Sequence, residues 1–126
     1  MRLLLNTHVL VWAAMAPRRL SERARDAIQD GTNERLVSVL SIYEVLYKRE
    51  ASPDLAALPE DLHELTDPLL FSWLEINDRH AETAAQLPRL HRDPWDRIIV
   101  AQALNERLTL VTADNALSAY GAPILW

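Results

Sequence analysis

Short apolar runs alternating with helix-like segments constrain this chain more than any other feature. Runs at residues 3–5, 36–39 and 73–76, one reaching about residue 112, and a last pair at 124–125 all have strand character. Segments with helical signals lie between them. Strands separated by helices pair in parallel rather than as hairpins, and the helices cover the faces of the sheet. The expected fold is therefore α/β, with a central, mainly parallel sheet. No repeat, low-complexity tract or linker interrupts the sequence, so residues 1–126 are expected to form one unit.

The punctuation supports that reading. Pro17 ends the helix that follows the first strand. Ser21 caps a second helix, which stops at about Asp30–Gly31, where glycine is expected to supply the terminating turn. A helix from Ser41 to about Arg49 follows the second strand, and residues 59–70 also read as helical. Asn77 or Asp78 caps a helix to Leu87 that Pro88 stops. Asp93 and Pro94 form a strong start for a largely buried helix carrying Ile98, Ile99, Ala101, Ala103 and Leu104. A short helix to Tyr120 ends at Gly121.

Composition removes several function classes. The chain has two glycines and no glycine-rich loop, so dinucleotide and P-loop chemistry are close to excluded. It has no cysteine, hence no disulfide and no thiolate metal site. No apolar run approaches the length of a membrane span. The first dozen residues serve as strand and helix, so a cleaved leader is not expected and the cytoplasm is the default location. A net charge of −5 disfavours a broad basic nucleic-acid face. Lys48 is the only lysine, and the remaining basic charge is arginine.

Polar residues recur where strands give way to helices. Asn6 follows strand one, Glu44 is read into the first turn of the helix after strand two, and Asp114 follows strand four. Asp96 lies in the first turn of the helix begun by Asp93. In a parallel sheet the carboxyl ends of the strands share one edge, where ligands bind. Three carboxylates and an amide there would form an oxygen-only site for Mg²⁺ or Mn²⁺. Each residue also has a purely structural explanation. Asn6 and Asp114 can cap helices, Ser41-x-x-Glu44 matches a capping box, and Asp96 suits the dipole at a helix start. Both readings stay open at this level.

Other candidates carry less. His8 and His63 have no partner at metal-ligand spacing, and His80 is expected half-exposed on its helix. Arg89, His91 and Arg92 form a basic loop that suits phosphate, or simply a solvated surface. Arg18–Arg19 and Lys48–Arg49 read as solvated faces. Trp12, Trp73, Trp95 and Trp126 read as core or interface anchors rather than base-stacking platforms.

The stretches MRLLLNTHVLVW, SVLSIYEVLYK, HRDPWDRIIVAQAL, LTLVTAD and YGAPILW, in that order, resemble the PIN-domain ribonucleases. The nearest likeness is to the VapC toxins of bacterial type II toxin–antitoxin pairs. The resemblance covers essentially the whole chain. It implies an α/β/α sandwich whose acidic pocket holds Mg²⁺ or Mn²⁺ and hydrolyses RNA phosphodiesters. It implies an antitoxin protein as partner, RNA as substrate, and a homodimer. The motif acids fall on Glu44, Asp96 and Asp114, and the first motif acid falls on Asn6. Thr112 matches an auxiliary hydroxyl position, Asp93 a cap that anchors the loop, and Arg97 a residue holding the pocket or phosphate.

Asn6 is the departure. An amide keeps the shape and one carbonyl but removes a full charge, and a unit-charge pair at about 4 Å and an effective dielectric near 20 is worth about 4 kcal/mol before desolvation. Asn and Asp are comparable caps, so folding is expected to survive. The expectation is a folded but catalytically weakened nuclease. An inactivating substitution, introduced or selected because an active toxin kills its host, and a naturally impaired homologue both account for it. The alternative is a PIN-like module that binds RNA or an antitoxin without cleavage. A phospho-accepting receiver-like domain also carries acids at strand ends, but it needs a lysine at a strand end, which Lys48 does not provide.

Overall fold

Leu3, Leu4 and Leu5 are all fully buried, and they divide between the two faces of a sheet. Leu3 and Leu5 pack with Val9, Leu10, Ala24 and Ile28, whereas Leu4 packs with Leu36, Ile99, Val100 and Leu110. A strand buried on both faces needs a continuous apolar run, and helices must lie on either side of it. A computed structural model describes residues 1–90 and 93–126 and shows that arrangement.

Five strands form one sheet: β1 (Arg2–Leu5), β2 (Glu34–Ser38), β3 (Ser72–Leu74), β4 (Thr109–Val111) and β5 (Ile124–Leu125). Their order is β3-β2-β1-β4-β5, and every pairing is parallel. The principal helices are α1 (Thr7–Met15), α2 (Glu22–Gln29) and α3 (Leu40–Lys48), followed by the single turns α4 (Pro53–Ala56) and α5 (His63–Thr66). They continue with α6 (Asp78–Gln86) and α7 (Pro94–Glu106). Helices α1 and α2 pack on one face of the sheet and α7 on the other, an α/β/α sandwich. A smaller cluster of Val45, Leu58 and Leu62 holds the α4–α5 region against α3. Among the described residues no helix is long and apolar enough to cross a membrane.

Local signals explain most boundaries. Ser21 accepts from the Ala24 amide, Asp93 accepts from those of Trp95 and Asp96, and Gly121 takes the left-handed conformation at φ 87° that ends the last helical turn. Two expectations fail. Residues 59–70 do not form one helix: the spacing of Leu58, Leu62 and Thr66 belongs to separate turns. Pro68 cannot donate onward, and the chain reverses through Leu70 at φ 58°. Gly31 does not supply the stop for α2 either. Asp30 ends it in extended backbone and turns the chain by accepting from the amide and hydroxyl of Thr32.

Candidate active site

β1 lies at the middle of the sheet, paired through Leu5 with Val37 of β2 and Val111 of β4. The residues just past these strands are therefore neighbours. The Asn6 amide extends the ladder to the Val111 carbonyl at 3.0 Å. Its side chain, 3% exposed, faces two ways: Oδ1 accepts from the Thr7 amide at 2.8 Å, and Nδ2 donates to the Thr112 hydroxyl at 3.0 Å. The same hydroxyl accepts from the Asp114 amide at 3.1 Å, and Asp114 caps the following turn through the Ala116 amide. Asn6, Thr112 and Asp114 thus form one hydrogen-bonded chain at the carboxyl edge.

Glu44 reaches this edge by a route other than the expected one. It lies in the second turn of α3, and the Ser41–Glu44 capping box does not form. Val39 occupies the cap position without a side-chain bond, and the Leu40 amide donates to Ser38 Oγ. The Ser41 hydroxyl is bonded instead to that of Thr7 at 2.8 Å, tying the starts of α1 and α3 together inside the protein. Glu44 is left to point at the cleft, its side chain 12% exposed. Oε2 accepts from Lys48 Nζ at 2.7 Å, and Oε1 is buried with no hydrogen-bond partner.

His8 is a neighbour of these acids that spacing alone does not reveal. Its Nε2 accepts from the Ala113 amide at 3.1 Å, which fixes a neutral ring with the proton on Nδ1. The ring packs edge-on against Trp12 and Trp126. Burial pushes its pKa below the ordinary value; the carboxylates of Asp114 and Glu44 pull against that shift, and Arg19 adds to it. His8 therefore reports both acids on its doorstep. The only sequence signal for it is its place two residues after Asn6.

Thr7, His8, Trp12, Arg19, Glu44 and Lys48 line one wall-to-wall cleft of about 560 Å³. Two of its basic residues are committed groups rather than merely solvated ones: Arg19 lies 4.4 Å over the Trp12 ring and Lys48 Nζ 4.6 Å over Trp95. Arg18 lines the same cleft and is exposed, and Arg49, outside it, donates to the Leu58 carbonyl. Asp96 is half-buried in the first turn of α7. Among the described residues, no three His, Asp or Glu side chains gather tightly enough to share an ion.

Arg97 does not serve the pocket. It donates at 2.8 Å to the carbonyls of Ala84, Leu87 and Pro88, clamping the end of α6 to the start of α7. Arg89 is exposed, and His91 and Arg92 lie outside the described residues. His80 is buried rather than half-exposed: it completes a capping box with Asn77, and its Nε2 meets Glu106 Oε1 at 2.8 Å.

The PIN-domain family profile matches residues 3–123. The chain belongs to the PIN-domain family. Along 95% of its length this PIN domain is 31% identical to Ribonuclease VapC22 of Mycobacterium tuberculosis, 92% of which is covered. Among solved structures it resembles VapBC2 from Rickettsia felis bound to a promoter DNA fragment. That match has a TM-score of 0.70 at 18% identity, covering 100% of this chain and 98% of the other. VapBC from Salmonella typhimurium bound to DNA gives 0.71 at 16% identity, with 99% and 97% covered. The FitAcB structure from Neisseria gonorrhoeae gives 0.70 at 19%, with 98% and 96% covered. These likenesses support the PIN-like α/β/α architecture.

Proposed function

We propose that this PIN domain is a VapC-type endoribonuclease toxin, dependent on Mg²⁺ or Mn²⁺, weakened by Asn6 and neutralised by an antitoxin. The observation that carries the reading is 31% identity, along nearly the whole chain, to a protein named as a ribonuclease, together with oxygen donors at the carboxyl edge of the sheet. The donor chemistry fits a hard divalent cation, because Glu44 Oε1 is buried and lacks a partner. Glu44, Asp96 and Asp114 would supply the carboxylates, drawing closer than they stand in this structure to share one ion, and Asn6 would offer at most its carbonyl. Water would complete the set, as Mg²⁺ prefers. A bound divalent ion supplies Lewis acidity toward a phosphodiester and lowers the pKa of an attacking water.

The chain's own residues set the stage for that chemistry. Thr112 fixes Asn6 and the Asp114 backbone relative to one another. Asp93 caps α7 and so aims Asp96. Arg89, His91 and Arg92 would supply positive charge for RNA, of which only the exposed Arg89 lies within the described residues. The three structural neighbours described are two DNA-bound VapBC assemblies and FitAcB, and the cleft beside α1 suits a protein segment as the neutralising partner. The outward face of α3 exposes Tyr43, Leu46 and Tyr47 at 56%, 41% and 68%, an apolar surface that fits a second copy of the chain. A cytoplasmic setting matches this function.

One observation favours the second reading, a non-cleaving module: the amide at position 6 removes a ligand charge. The decisive experiment is Asn6→Asp. With Mn²⁺, the Asn6→Asp chain is expected to cut structured RNA at least tenfold faster than the parent, and adding Glu44→Gln is expected to abolish cleavage. If the reverted chain cuts nothing, or Glu44→Gln leaves cleavage unchanged, the enzyme reading fails and the binding module remains.

A further inference from the structure

Glu44 and Lys48 make an i,i+4 pair on α3, at 2.7 Å, with the acid on the N-terminal side. On an open surface such a pair contributes little. Here the two ends differ: the Glu44 side chain is 12% exposed and that of Lys48 is 44% exposed. The carboxylate is held inside and needs a counter-charge, while the ammonium has a way out. It also has somewhere to rest, since Nζ already lies 4.6 Å over the Trp95 ring, where cation–π attraction holds it without help from Glu44. The carboxylate meanwhile is only half satisfied, with one oxygen on Lys48 and the other buried and bare. A buried carboxylate in that state still lacks a donor or a cation on its second oxygen.

We propose that Lys48 is a built-in counter-ion that keeps the place of the divalent cation at Glu44, so that metal uptake and the Glu44–Lys48 bond exclude one another. The inference rests on the reading of Glu44 as a metal ligand. It adds that the unmetallated chain is stabilised by its own lysine and that the ion competes with Lys48 for the carboxylate. Lys48 acts here as a positioning residue. Its long flexible stem and compact charge suit the task better than a rigid guanidinium would. Because Asn6 contributes no charge, Lys48 neutralises a larger share of this pocket, and the competition is sharpest in this chain.

Lys48 is the only lysine, so lysine carrying carbon-13 at the ε position labels a single side chain in the intact protein. The expected result is a Lys48 signal away from its solvent-exposed position without metal. It should move on Mg²⁺ titration to the position it already holds in a Glu44→Gln variant. In parallel, Lys48→Met is expected to lower the Tm without metal by about 5 °C and to bind Mn²⁺ roughly tenfold tighter by calorimetry. Lys48→Arg, which keeps the charge and the fold, should bind Mn²⁺ no tighter than the parent. A purely structural pair would give the loss of Tm with no gain in affinity. That result, a Lys48 signal indifferent to Mg²⁺, or the absence of metal uptake by every form overturns the proposal. RNA cleavage by the Asn6→Asp chain is scored separately, so the ribonuclease reading stands or falls on its own.

Discussion

The amide nitrogen of Asn6 donates to the hydroxyl of Thr112 at 3.0 Å, and that hydroxyl simultaneously accepts from the Asp114 amide at 3.1 Å. Thr112 Oγ therefore receives two donors from the pocket floor. A carboxylate at position 6 would reverse the first bond, with the Thr112 proton turning toward it and the geometry kept. Asn6→Asp is expected to fold normally and, without metal, to match the parent in stability or fall below it, because like charges then crowd. With Mn²⁺ it should gain more in Tm than the parent does. Differential scanning fluorimetry with and without Mn²⁺ decides this, and equal metal shifts in the two forms would remove position 6 from the ligand set.

His80 is buried, with a partner on each ring nitrogen. Truncating it leaves the Asn77 amide unpaired and opens space between α6 and α7. His80→Ala should cost about 2–4 kcal/mol of stability, measured from urea transitions.

Arg97 satisfies three carbonyls at the C-terminal end of α6, where no helical donor remains. Arg97→Met should cost about 1–3 kcal/mol and speed amide exchange across residues 84–90. Arg97→Lys should not restore protection, because an ammonium cannot span the three acceptors.

Burial holds His8 below the ordinary histidine value, so the folded chain binds its proton less readily than the unfolded chain. Stability from this residue is complete above a pH of about 6.5 and declines as pH falls through that point toward the folded value. The parent-minus-His8→Asn difference in urea midpoint should therefore shrink on acidification, and the His8 ring proton should titrate below 6.5 by NMR. A midpoint at or above 6.5 contradicts the neutral acceptor at Ala113.

Tyr47 and Leu46 belong to the exposed face of α3. Replacing both with glutamate should leave the Tm within a few degrees of the parent. If that face seats a second copy, sedimentation will show a dimer for the parent and a monomer for the variant.

What could be read in advance depended on how far the deciding partner lies along the chain. The α7 start is local: Asp93 binds amides two and three residues on, and Pro94 follows directly, so the sequence states it outright. The parallel sheet is legible because alternation of strands and helices leaves little other choice. The Ser41–Glu44 capping box looked equally local, yet the partner that takes the Ser41 hydroxyl, Thr7, is 34 positions away. His80 is buried rather than half-exposed for the same reason: its partner Glu106 lies 26 positions on. Topology alone leads to the expectation that Asn6, Glu44, Asp96 and Asp114 share one edge. Their links through Thr112 and His8 depend on side-chain packing that no spacing encodes, whereas the Glu44–Lys48 pair follows the i,i+4 spacing of a helix.

The bond between Asn6 and Thr112 joins residues 106 positions apart in a chain of 126. The strand that carries the first half of the pocket is made long before β4, and its central place in the sheet stays vacant on one flank until β4 has been synthesised. Contacts of such long sequence separation form late. A ribosome partway through this message therefore carries no assembled pocket, and a prematurely terminated product never acquires one. Synthesis through β4 and the Asp114 turn is itself the first safeguard on whatever the pocket does.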